Sequence, residues 1–483
     1  MAFERVLIPC CLLAIMVAPA AARTRPRYGG MLRVEVEGDP LKRDRLHRPE
    51  GIAWRLILDG LTHTDTAGNG DAQDTVRPSL AVRWTSENDD HRWQFWLRPG
   101  VSFQNGKPLN SPAVVASLEE SCRATACPWT SLHFAGQSIV FLSDAPMPNL
   151  PAVLAESEFL IKQITEGEVG AGPVYVGTGP FQMKSSKNNT LRLEAYDKCW
   201  QGRPFVDAIE IYAHRSSRDT LRSELRDPSA DANSGSASDK ADVEELAPTD
   251  IRQARQQQLN VVSSPPLTLL ALEVRNTSLA PQLRNALALA VDRAALYQVI
   301  FQKQGEVTAS LLPASLSGYS FLFPTERDLN RAQALRGGIT PPPLTLAADG
   351  NGALQLAAER LALNWHDAGF PVKVIPPAAS MDVTLRADIV LRELPLYGGS
   401  TAAALGWMLR SVNPNIQTNS AATIPTNEPV AAYRAEHDFL ERHNVIPLLY
   451  LPRAWAIGGR VRDLRLNADG VPDLANVSLQ DAL

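Results

Sequence analysis

Apolar and polar positions along this chain fall into two periods, alternation every second residue and recurrence every three to four, which mark half-buried strands and amphipathic helices. Met31 to Glu37 alternates strictly and reads as a strand, closed by the turn residues Gly38, Asp39 and Pro40. Ile52 to Leu61 carries its apolar residues at helical spacing. Trp93 to Arg98 alternates again and stops at Pro99 and Gly100, a strand followed by a turn. Ser111 before Pro112 predicts a helix opening, with serine as the N-cap and proline at the first helical position, where its missing N–H costs nothing. Leu191 to Tyr196 and Ala208 to Tyr212 are two further alternating strands.

Asp227 to Ala241 is rich in Ser, Ala, Asp and Gly without apolar periodicity, which predicts a solvated loop. Beyond it, Pro248 to Gln257 and Pro281 to Gln302 read as helices. Pro341 to Ala347 is a strand entry, Asn351 to Ala368 an amphipathic helix ended by Gly369, and Pro371 to Ile375 a strand. That order, with glycine at the helix end, is a strand-helix-strand unit and predicts some parallel pairing in a mixed α/β chain. No internal repeat is visible.

At 483 residues, 45% apolar and 20% charged, the chain is long enough for two or three globular domains. A net charge of -5 spread over this length offers no basic footprint, so nucleic acid is not expected as a partner. Arg5, the apolar run Val6 to Val17 and the small residues Ala18 to Ala22 form the pattern of a secretory signal over residues 1–22, although Glu4 offsets Arg5. The expected location is therefore periplasmic or extracytoplasmic, and residues 23–30 read as a linker. Cys10 and Cys11 leave with the signal, and the residues before them lack a lipobox. Of the remaining cysteines, Cys122 and Cys127 bracket a turn that permits a bridge, the alternative being two independent thiols. A zinc site joining them with His133 lacks a fourth ligand, so no metal and no cofactor are expected.

Four stretches carry a family resemblance. Arg77 to Trp84, Trp93 to Arg98, Pro99 to Leu109 and Val114 to Leu118 form the first; Gly177-Thr-Gly-Pro-Phe181, Leu193 to Trp200, Gly202 to Pro204 and Asp207 to Ile211 form the second. Leu283 to Arg293 and Leu440 to Leu448 are the third and fourth. In order and spacing the chain resembles family 5 of the extracellular solute-binding proteins, which supply ABC importers with peptides and similar solutes. The resemblance implies a periplasmic-binding-protein-like α/β fold of two lobes, of the class II type, with an extra subdomain in the first lobe. Lobe 1 is expected over 31–264 with an inserted subdomain at about 63–174, lobe 2 over 265–459, and a return segment over 460–483. It further implies a monomer that is not an enzyme. Such a protein closes on a peptide or other small ligand in the inter-lobe cleft and presents it to the permease subunits of an ABC importer.

Most of these motifs have a structural reading that is preferred. Gly177 to Phe181 lacks the Lys-Ser/Thr ending of a nucleotide loop and reads as a backbone crossover, Asn105-Gly106 as a hairpin turn, and Asp292-Arg293 as a structural element. In peptide-binding members a tryptophan and an aspartate after a lobe-2 strand help hold the ligand. The matching strand here, Ala387 to Arg392, continues as Glu393 to Gly399 without them. Arg392, Glu393 and Tyr397 are the candidate replacements, a counter-charge for an anion, a carboxylate and an aromatic wall, against the alternative that the two charges are ordinary surface groups. Trp407 and Trp54 are further candidates, although a tryptophan is more often core. The strand Leu269 to Arg275 also departs from the family in reaching Asn276 late.

An exported hydrolase is the first rival, and its H-E-x-x-H, G-x-S-x-G and S-x-x-K frames are all missing. For a nickel or haem binder the 8 histidines are few and scattered, His437 and His443 included. A diverged paralogue, with its ligand site altered or lost and a protein as its partner, is the remaining alternative.

Overall fold

The computed structural model describes residues 26–37, 39–41, 51–65, 75–124, 127–165, 174–187, 189–213, 241–319, 322–349, 352–376, 387–396, 401–412, 429–467 and 469–480. The signal segment, Tyr397 and, apart from Ala241, the expected solvated loop lie outside the described residues.

The alternation of Met31–Val36 is realised as a strand whose Leu32, Val34 and Val36 point into a core shared with Leu191, Leu193, Ile209, Ile211 and Trp455. This strand belongs to a sheet of 11 strands. Its order is Phe181–Lys187, Thr190–Ala195, Ala208–Ala213, Met31–Val36, Val243–Leu246, Val445–Ile457, Asn260–Val274, Ile389–Pro395, Leu344–Ala348 and Val372–Val374, with Glu306–Val307 added beside Val445–Ile457. Leu344–Ala348 runs parallel to both Val372–Val374 and Ile389–Pro395, as the strand-helix-strand pattern predicted.

Two strands in the middle of this sheet, Asn260–Val274 and Val445–Ile457, are long and pair antiparallel from Asn260 opposite Ile457 to Glu273 opposite Val445. They connect the strands of the first half to those of the second. Their ladder shifts register between Ser263 and Pro266 and again between Pro266 and Thr268, where Pro266 lies opposite Pro452. Prolines have no N–H to give to a ladder, so the pairing breaks where these residues face each other. The Ser264 hydroxyl fills part of the gap, accepting from Arg453 N at 3.0 Å and donating to Pro265 O at 2.6 Å.

Beyond the break, odd and even positions of Asn260–Val274 face two different cores. Leu270 and Leu272, with Leu391, pack on the helices Pro281–Ala290 and Ala353–Asp367. Leu269 and Ala271, with Leu394, pack on Thr401–Val412 and Pro429–Leu440. Before the break, a separate four-stranded sheet with Phe95 and Phe141 inside packs on Val114 and Leu118 of the helix Ser111–Ala124. Among the described residues no helix is long and apolar enough to cross a membrane.

Three local expectations are corrected. Asn110, not Ser111, caps the Ser111–Ala124 helix, accepting from Ala113 N at 3.0 Å, while the Ser111 hydroxyl donates to Gly136 O at 3.0 Å. The apolar spacing of Ile52 to Leu61 yields only the short helix Trp54–Ile57; the chain then extends so that Asp59 can bridge to Ile161. The helix expected from Pro281 to Gln302 stops at Ala290, because Val291 is extended and Asp292 begins a new turn by accepting from Ala295 N.

Candidate functional site

Ile389–Pro395 runs antiparallel to Asn260–Val274, from Ile389 opposite Val274 to Pro395 opposite Thr268. It therefore travels toward the proline break, and Leu396 N still donates to Leu267 O at 2.9 Å. The exit of this strand, at Pro395 and Leu396, lies where the two crossing strands pass between the halves of the sheet. This exit carries the residues expected to meet a ligand.

The alternation of the strand separates those residues. Arg392 lies opposite Ala271 and Glu393 opposite Leu270, so they occupy opposite faces. Glu393 is exposed. Arg392 is mostly buried, 3.6 Å from Glu273, which also pairs with Arg275 at 3.0 Å. Its Nε is buried with no hydrogen-bond partner among the described residues. Trp407 is 3% exposed in the core under the exit, and its indole N–H donates to Pro395 O at 3.0 Å. Trp54 is 4% exposed in the first-half core, edge-on to Tyr175 at 5.3 Å between ring centres. Both tryptophans are core residues; Trp407 fixes the end of the exit strand. Asn276 lies just past the Val274 end of its strand, away from the proline break, where it donates to Asp388 at 2.9 Å.

Next to the exit is a polar cluster that was not predicted. Glu436 has no exposed surface, on the buried stripe Ala432, Glu436 and Leu440 of Pro429–Leu440. Its carboxyl accepts from the backbone amides of Leu311 and Leu312 and from the Tyr319 hydroxyl, and the Tyr450 hydroxyl donates to Leu311 O. Burial pushes the Glu436 carboxyl up from 4.5 to about 7, against the three donors, which favour its ionised form. Burial and the neighbouring Glu436 raise the Tyr319 phenol as well. A carboxylate within an apolar helical stripe was the available sequence signal. His437, by contrast, stacks on Phe323, with the ring centres 4.9 Å apart and the two planes nearly parallel.

In the first half, the Gly177 to Phe181 segment is a crossover, as expected. A Cβ on Gly177 would stand 1.9 Å from Ile57 O and one on Gly179 2.6 Å from Leu56 O, so only glycine permits this approach. The Thr178 hydroxyl and the Trp200 indole donate to the half-buried Asp59 at 2.7 and 2.9 Å. Asn105-Gly106 is a turn closed by Phe103 N donating to Lys107 O at 2.8 Å. Arg293 is buried and donates to Pro447 O at 2.9 Å, and its burial lowers it to about 10. Cys122 and Cys127 are joined in a disulfide with their Cα atoms 5.5 Å apart.

Residues 75–418 match the model of the bacterial extracellular solute-binding proteins, family 5 middle. A probable di/tripeptide-binding protein 5 of Pseudomonas aeruginosa (strain UCBPP-PA14) is 25% identical over 367 residues, which cover 66% of each chain. The structure of the Escherichia coli murein tripeptide binding protein MppA superposes with a TM-score of 0.77 at 16% identity, over 94% of this chain and 99% of that one. NikA from Staphylococcus aureus, in complex with Ni(L-His)2, superposes with a TM-score of 0.74 at 17% identity, over 93% and 100%. Sequence alignments with three curated relatives span only 28%, 66% and 31% of those proteins' own lengths. The structural likeness shows the two-lobed periplasmic-binding-protein-like α/β fold.

Proposed function

Because this chain belongs to the family 5 bacterial extracellular solute-binding proteins, we propose that it is an exported protein that captures a peptide or peptide-like small ligand between its lobes and delivers it to an ABC importer. The observation that carries this reading is the end of the Ile389–Pro395 strand at the break in the crossing strands, with Leu396 opposite Leu267. A strand end at such a crossing borders a cleft that opens and closes about the break. The division into lobe 1 over 31–264, with an inserted subdomain at about 63–174, and lobe 2 over 265–459 belongs to the same proposal. So do Glu393 and Tyr397 as ligand contacts, with Arg392 as counter-charge to an anionic group. Relatives named for di- and tripeptides support the peptide class.

A thermal-shift screen against di- to pentapeptides, amino acids, oligosaccharides and divalent metals tests it. A ligand at one hundred times its dissociation constant stabilises the folded state by about 2.7 kcal/mol. A dose-dependent shift with peptides, reduced by Glu393→Ala or Tyr397→Ala, is the expected result; no shift with any class refutes capture. The alternative, a diverged paralogue that acts through a protein partner, is favoured by one feature: Leu394 and Leu396, at the exit, are 2% and 8% exposed and present no polar group there.

A further inference from the structure

The loop over residues 308–319 is fastened at the inter-lobe end of lobe 2 from several sides. Thr308 N donates to Leu448 O of the second crossing strand at 3.1 Å. The Thr401 hydroxyl, at the start of the helix that follows the exit, donates to Leu316 O at 2.8 Å. Gly318 abuts Pro429, the first residue of Pro429–Leu440. The middle of the loop is held by Glu436, through the amides of Leu311 and Leu312 and the hydroxyl of Tyr319.

We propose that Glu436 is a positioning residue, a protonatable latch that holds the 308–319 loop against lobe 2 more firmly at mildly acidic than at mildly alkaline pH, and so sets the firmness of the adjoining cleft wall. The last clause rests on the cleft being the ligand site. The titratable groups that face Glu436 are the Tyr319 phenol from the loop and the Tyr450 phenol from the crossing strand, with the Tyr433 ring of its own helix behind Tyr319 at 5.2 Å. No cation is among its hydrogen-bond or ionic partners within the described residues. A neutral carboxyl is buried here at small cost; an ionised one is buried without a counter-charge. Released into water, the same carboxyl ionises at its ordinary value. The closed loop therefore binds the proton more tightly, and raising the pH favours the open loop.

Hydrogen exchange of the full chain between pH 5.5 and 8.5, corrected for the intrinsic pH dependence of exchange, tests the latch on the amides of Leu311 and Leu312. A rise from 4.5 to about 7 corresponds to a factor of about 300 in the opening equilibrium for complete exposure. About tenfold of that factor falls below pH 5.5, so protection of the loop is expected to fall by up to about 30-fold across this range, while that of the Ile389–Pro395 strand does not. In Glu436→Gln the side-chain oxygen still accepts from both amides and the profile becomes flat. In Tyr319→Phe, which removes a donor from the ionised form, the fall extends to higher pH, and this variant keeps the test available if the glutamine variant does not fold. A flat profile in the parent chain overturns the latch, as does a parent slope retained in Glu436→Gln or a Tyr319→Phe profile coincident with the parent. No ligand enters this measurement, so the absence of ligand binding leaves its outcome intact, and a flat profile in a chain that binds peptide refutes the latch alone.

Discussion

Removing the Gln104 side chain is expected to destabilise the first half of the protein by about 2 to 3 kcal/mol. Its Nε2 is within hydrogen-bonding distance of the carbonyls of Ile57, Gly179 and Phe181, at 3.0, 3.1 and 2.7 Å, and its Oε1 accepts from Gly177 N at 3.2 Å. An amide NH2 has two hydrogens, so three carbonyls share two donors and the side chain makes about three full hydrogen bonds. At a net value of about 1 kcal/mol each, their loss costs about 3 kcal/mol. Gln104 is half-buried, so water can enter the vacated space and lower the loss to about 2 kcal/mol. Gln104→Glu keeps the shape but turns the donor toward three carbonyl oxygens into an acceptor, so it is expected to cost more than Gln104→Ala. Urea unfolding followed by tryptophan fluorescence and far-UV circular dichroism gives both values, with hydrogen exchange assigning the transition if the two probes separate. A Gln104→Ala loss within about 0.5 kcal/mol, the range of an ordinary surface substitution, refutes the reasoning. A milder effect of Gln104→Glu than of Gln104→Ala refutes it equally.

The Cys122–Cys127 bridge closes a loop of sequence separation 5, for which the chain-entropy relation gives about 2 kcal/mol. Dithiothreitol and the double substitution Cys122→Ser, Cys127→Ser are expected to lower the urea midpoint equally; a midpoint indifferent to both contradicts a stabilising bridge. Trp407→Phe removes the indole donor from Pro395 O and is expected to cost about 1 to 3 kcal/mol, the range for a buried acceptor left unpaired. An unchanged melting temperature in calorimetry excludes that role for the indole.

Four strands of the first half, Met31–Val36, Arg92–Leu97, Thr190–Ala195 and Ala208–Ala213, were legible because each carries a wetter and a drier face in its own residues. Asn260–Val274 was legible only over its second part. Pro265 and Pro266 stop the alternation, and the strand continues through them because a second proline-bearing strand, with Pro452 opposite Pro266, accepts the same interruption. The break at Val291 was hidden for the opposite reason: the helical period runs through it, while burial of Arg293 on Pro447 O selects a new turn capped by Asp292. The site follows the same division. Alternation correctly separates Arg392 from Glu393, but the pairing of Arg392 with Glu273 depends on which strand lies beside it. Glu436 stands in an apolar stripe, a local anomaly, yet its partners Leu311 and Tyr319 are 125 and 117 positions away. A period records which way a side chain points relative to its own element; a hydrogen bond or ion pair needs the register of two elements, which packing of the whole chain determines. Polar groups on dry faces are therefore where a single sequence says that a partner must exist without saying which, since burying them alone would cost more than any local preference could repay.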